Sequence, residues 1–91
     1  MIYVRFAEKS VTVSGHAGAG KRGEDTVCAA MSALVYVQVR LLEKAGALAS
    51  LQVEDGFVRM DLCDGGRCEV LELGARWLGT EYPKCVKVLG D

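Results

Sequence analysis

The sequence predicts a two-layer α+β domain: a mainly antiparallel sheet with two helices on one face, in the element order ββαββαβ. Three observations point there. Several short segments alternate apolar and polar residues with period two, as half-buried strands do. Two longer segments repeat apolar residues at helical spacing. Turn-forming residues separate consecutive strands closely enough to make hairpins, and hairpins paired with long helices give segregated layers. With 91 residues, 51% of them hydrophobic and 25% charged, the chain is expected to form one globular domain over residues 1–91.

The first strand pair begins at the N-terminus. Ile2, Val4 and Phe6 alternate with Tyr3 and Arg5, and Val11 and Val13 alternate with Ser10, Thr12 and Ser14. A tight turn at Glu8-Lys9 sets Phe6 opposite Val11 and Val4 opposite Val13, giving the hairpin one apolar face. A helix follows over residues 25–45. Val27, Ala30, Met31, Leu34, Val35, Leu41, Leu42 and Ala45 fall on its apolar stripe, and Gly46 stops it. Gln38 projects into that stripe and requires a hydrogen-bonding partner at a tertiary or subunit contact.

The second hairpin turns at Asp55-Gly56, a type I′ signal. This turn pairs Val53 with Val58, Leu51 with Met60 and Gln52 with Arg59, so apolar meets apolar and polar meets polar. The second helix is expected over residues 67–80, with Val70, Leu71, Leu73, Trp77 and Leu78 on the apolar side and a Glu72–Arg76 pair opposite. Pro83 ends that region, and Cys85 to Val88 reads as a final strand.

Composition excludes several classes. A net charge of -1 with no basic stripe argues against nucleic-acid binding. The N-terminus lacks a continuous apolar core, so no signal peptide is expected. The apolar run at residues 27–37 is interrupted by Ser32 and followed by Gln38 and Arg40, so no membrane span is expected. The expected location is cytoplasmic, where four cysteines are thiols rather than a disulfide framework.

Residues 14–28 read SGHAGAGKRGEDTVC and hold the only His and one of the four Cys. Gly15 to Lys21 match G-x-x-x-x-G-K, but Arg22 stands where a phosphate-binding loop places the Ser or Thr that ligates magnesium. Gly23 then delays the helix, and a parallel nucleotide-binding sheet does not fit this length. Nucleotide binding through Lys21 is therefore the weakest alternative. Cysteine catalysis fits better. Cys28 belongs to the first turn of the long helix, capped by Thr26, Asp25 or Glu24, where the unpaired N–H groups favour a thiolate and can hold an oxyanion. His16 ends the second strand, and the loop between the two is long enough to bring a base to a nucleophile. Strict alternation from Val11 and Val13 would aim His16 away from the core, so a twist or bulge at Gly15 is required.

Gly15-His16-Ala17, a glycine-bearing loop, and Asp25-x-Val27-Cys28-Ala29-Ala30-Met31-Ser32 resemble, in order and spacing, the signature of the ribosomal-processing cysteine protease family. The match is specific over about twenty residues, and the likeness of element order covers most of the chain. The resemblance implies a cytoplasmic endopeptidase that removes the N-terminal extension of a large-subunit ribosomal protein, without a metal or cofactor. By that resemblance His16 is the general base and Cys28 the nucleophile. Gly15, Asp25 and Ser32 hold supporting positions, and Gly18, Gly20 and Gly23 serve a mobile substrate loop. Family members are commonly homodimers. Cys63, Cys68 and Cys85 lie outside the signature and read as packing or incidental thiols. The competing reading is a non-catalytic ribosome-associated binding module with the same fold.

Overall fold

The computed structural model describes residues 1–16 and 24–90. Its elements follow the expected order: β1 (Ile2–Phe6), β2 (Ser10–Gly15), α1 (Glu24–Ala45), β3 (Leu48–Glu54), β4 (Phe57–Leu62), α2 (Glu69–Glu81) and β5 (Val86–Gly90). The five strands form one sheet in the order β3-β4-β2-β1-β5. Every neighbouring pair is antiparallel except β1 and β5, which run parallel.

Both hairpins have the predicted registers, but the β3–β4 turn is not the expected type I′: Gly56 has φ +71° and Asp55 is not at positive φ, whereas type I′ needs both. Phe6 faces Val11 and Val4 faces Val13. Val53 faces Val58, Leu51 faces Met60 and Gln52 faces Arg59. Pairing of β2 with β4 then sets Val11 beside Met60 and Val13 beside Val58, so one apolar face runs across the strands. Val4, Val11, Val27, Met60 and Leu71 are among the fully buried side chains at its centre.

The helices differ from their predicted faces in detail. On α1 the buried residues include Val27, Met31, Val39 and Leu42, whereas Leu41 is 46% exposed. On α2, which starts two residues later than expected, the core side is Leu71, Ala75 and Leu78. Leu73 and Trp77, assigned to the apolar side from sequence, are 76% and 59% exposed. Leu73 lies roughly 200° around the helix from Leu71, at 3.6 residues per turn, and cannot share its face. By length and composition, Thr26–Ala45 is one segment among the described residues that could cross a membrane. In this fold it contributes Val27, Met31, Val39 and Leu42 to the core.

The end of α1 satisfies its own carbonyls. Gly46 N–H donates to the Glu43 carbonyl (3.1 Å) and Ala47 N–H to the Leu42 carbonyl (2.9 Å), the paired bonds of a Schellman motif. The start of α2 is satisfied from outside. Its N-cap residue, Cys68, makes no side-chain capping bond. Instead Gln38 on α1, 3% exposed, accepts from Leu71 N–H (2.9 Å) through Oε1 and donates to the Arg67 carbonyl (3.4 Å) through Nε2. The partner that the sequence required for Gln38 is thus the N-terminus of the other helix. Removing it strands a buried amide hydrogen, which costs about 1–3 kcal/mol. Gln38→Ala should lower the unfolding free energy by that order in urea titrations and speed hydrogen exchange at Leu71.

Cys68 also carries a pH dependence. Burial, aided by the nearby Glu72 carboxylate, pushes its thiol up from 9.0 to about 11. Between those values the unfolded thiol loses its proton while the folded one retains it, so stability falls as pH rises through that window. Cys68→Ala should flatten the decline in melting temperature above pH 9 in scanning calorimetry.

Candidate active site

The site starts with a glycine that ends a strand. Gly15 has φ +93°, a conformation that costs little without a Cβ. A Cβ there would run into the carbonyl oxygen of Met1. Gly15 N–H donates to the Gly56 carbonyl at 2.9 Å, and the Met1 amino group donates to the His16 carbonyl. The positive φ interrupts the alternation of β2, and His16, exposed at the strand end, faces a groove with Val13. This is the turn that the sequence required at Gly15.

Cys28 lies across that groove on α1. It is half-buried and packs against the core. It is the fifth residue of α1 rather than a first-turn residue. The helix starts at Glu24, ahead of the caps expected from Asp25 or Thr26. Helical side chains lean toward the N-terminus, so the thiol of Cys28 projects over the first turn, where the backbone N–H groups lack intrahelical partners.

The groove measures about 590 Å³. One wall is α1, with Cys28, Ser32, Val35 and Val39 along it. The floor is the open sheet face, including Val13, Val58, Leu51 and Val53. His16 and the Asp55-Gly56 turn line the same groove, as do Arg40 and Glu43. From Cys28 to Glu43 the helix rises about 22 Å at 1.5 Å per residue. An extended peptide of roughly six or seven residues spans that length at about 3.3 Å each. Arg40 is held by Glu43 at 3.8 Å and stands over the Tyr36 ring, 5.9 Å from its centroid.

The groove therefore brings together Gly15, His16, Cys28 and Ser32, four of the residues singled out from sequence. Asp25 is the second residue of α1. Gly18, Gly20, Gly23 and Lys21 lie outside the described residues. Among the groove residues not read as site residues are Gly56, Leu51 and Val53. Their sequence signal was a hairpin, and nothing local told that its turn meets His16 or that its apolar face stays open. Of the other thiols, Cys63 is exposed, and Cys68 and Cys85 are buried. Among the described residues no group of three or more His, Cys, Asp or Glu side chains could hold a metal ion.

A five-stranded mixed sheet with two helices, carrying a Cys and a His on one groove, defines a small α+β protein with the elements of a thiol-dependent enzyme. Residues 1–87 match the family model described as cysteine protease Prp, and the chain belongs to that family. Among solved structures it is similar to SMU.848 from Streptococcus mutans, with 31% identity and a TM-score of 0.82, covering 99% of this chain and 93% of that one. The ribosomal processing protease Prp from S. aureus has the same fold. Its complex with a covalently linked product peptide aligns with a TM-score of 0.77 at 18% identity, over 99% of this chain and 97% of that one. Its complex with a substrate peptide aligns equally well at 17% identity. No curated protein matches the chain.

The backbone at Gly15 makes a direct prediction. Gly15→Ala must either strain a left-handed residue or move the Met1 carbonyl. It should lower the melting temperature and, by shifting His16, reduce peptide cleavage more than Gly46→Ala, whose position also has positive φ but open space around it. Paired thermal melts and cleavage assays test this.

Proposed function

We propose that this chain is a cysteine endopeptidase that removes the N-terminal extension of a large-subunit ribosomal protein, with Cys28 as nucleophile and His16 as general base. The observation that carries this reading is that both side chains line one peptide-length groove in a member of the cysteine protease Prp family. The S. aureus relative, solved with a substrate peptide and with a covalently linked product peptide, supports both the substrate class and a covalent mechanism.

The chemistry follows from the groups available. His16 takes the Cys28 thiol proton, and the sulfur attacks the scissile carbonyl carbon. The resulting oxyanion is stabilised by N–H groups at the start of α1. Collapse breaks the C–N bond, and the proton on His16 passes to the leaving amine. Water, deprotonated by His16, then attacks the thioester, releasing the second product and restoring the thiol. Ser32, one turn beyond Cys28, lines the site. The protein acts as a cytoplasmic homodimer.

Cys28→Ala should lower kcat/KM on the order of 10⁶-fold, as loss of a catalytic nucleophile does, with the fold intact by circular dichroism. Cys63→Ala should retain activity. The decisive assay mixes the protein with an extended ribosomal substrate and with a pre-trimmed control, and reads masses. One internal cut in the extended substrate, insensitive to chelator and blocked by a thiol alkylator, is the expected result. Binding of the ribosomal protein without any cut would instead favour a non-catalytic ribosome-associated module.

A further inference from the structure

We propose that Gly56, the turn glycine of the β3–β4 hairpin, is a positioning residue for His16, because the imidazole occupies the space where a side chain at residue 56 would stand. The proposal rests on the reading of His16 as general base for its catalytic consequence, although the contact itself does not. An ideal Cβ on Gly56 would lie 2.9 Å from His16 Nε2, 3.5 Å from Cε1 and 3.6 Å from Cδ2. The nearest of these is closer than real Cβ contacts permit, so the ring would have to move. The ring is the far end of a flexible side chain, whereas the hairpin backbone is locked in its ladder. The ring therefore yields before the turn does.

The same glycine anchors the strand that carries His16. Its carbonyl accepts the Gly15 N–H at 2.9 Å, and Gly15, at φ +93°, sets where His16 points. Gly56 thus fixes the histidine twice: its carbonyl holds the backbone just before it, and its bare Cα seats the ring. Turn geometry alone does not account for the residue. Gly56, at φ +71°, is the one central residue of this turn with positive φ, a type II-like position that also admits Asn, but Asn brings a Cβ into the imidazole. The turn of a distant hairpin is in this way part of the site, and Asp55 and Gly56 line the groove with Cys28.

The control for backbone strain is built into the chain. Gly46 has φ +67° with nothing within 4 Å of its would-be Cβ, so Gly46→Ala adds similar left-handed strain with no ring to displace. Because the chain has one histidine, its ring protons give one set of NMR signals. Gly46→Ala should leave those signals on the wild-type positions. Gly56→Ala should move them, shift the acid limb of the kcat/KM–pH profile, and lower kcat on an extended peptide at least ten-fold with KM little changed.

Ring signals in Gly56→Ala that stay on the wild-type positions would overturn the proposal. If Gly56→Ala fails to fold, Gly56→Asn, which tolerates the left-handed backbone, carries the same test: moved ring signals uphold the proposal and unmoved ones refute it. If the ring signals move but the wild-type protein cuts no peptide, the positioning contact stands and the endopeptidase reading falls.

Discussion

Two helices cannot roof five strands. A helix with its side chains is about 10–12 Å wide, and strands lie about 4.8 Å apart, so each helix covers roughly two strands. The order β3-β4-β2-β1-β5 leaves β3 at one edge. Leu51 and Val53 lie on the same face as the fully buried Met60, yet they are 41% and 65% exposed. The groove beside Cys28 is this shortfall in cover. Its apolar floor, its helical wall and its closed end at the β3–β4 turn all follow from one strand more than the helices can shield.

The two helices hold that arrangement through one buried amide. Gln38 joins the middle of α1 to the first turn of α2, in place of the side-chain cap that Cys68 does not provide. A wall that must face a substrate cannot also lean freely. Fixing α1 against α2 by a directional bond, in addition to non-directional apolar packing, keeps Cys28 and Ser32 at a set height above the sheet. A buried polar residue in an apolar stripe was legible as a demand for a partner, but the partner is 33 residues away along the chain, and no local pattern names it.

The candidate site divides along the same line. Cys28 and His16 were legible from residue type, from spacing and from a signature-like string, and both line one groove. The need for a backbone turn at Gly15 was legible too, because alternation from Val13 would otherwise aim the histidine outward. Gly56 was legible only as a turn residue. Its contact with His16 arises because β4 pairs with β2, which carries the hairpin turn to the end of the strand from which the histidine emerges. Leu73 and Trp77 show the opposite failure. Their apolar character suggested burial, but the face of α2 that packs is set by Leu71, Ala75 and Leu78, and hydrophobicity without phase could not exclude them.

By itself the sequence determined the elements, both hairpin registers and the candidate residues of the site, because each depends on residues close along the chain: period-two alternation, a turn dipeptide, a helix stop, a His and a Cys separated by a glycine-bearing loop. Only the tertiary structure decided the strand order, the side of each helix that packs, the partner of Gln38 and the meeting of Gly56 with His16. These depend on which surfaces find one another across the sheet. That choice is made by burial and by backbone pairing between distant segments, for which a local pattern carries no record.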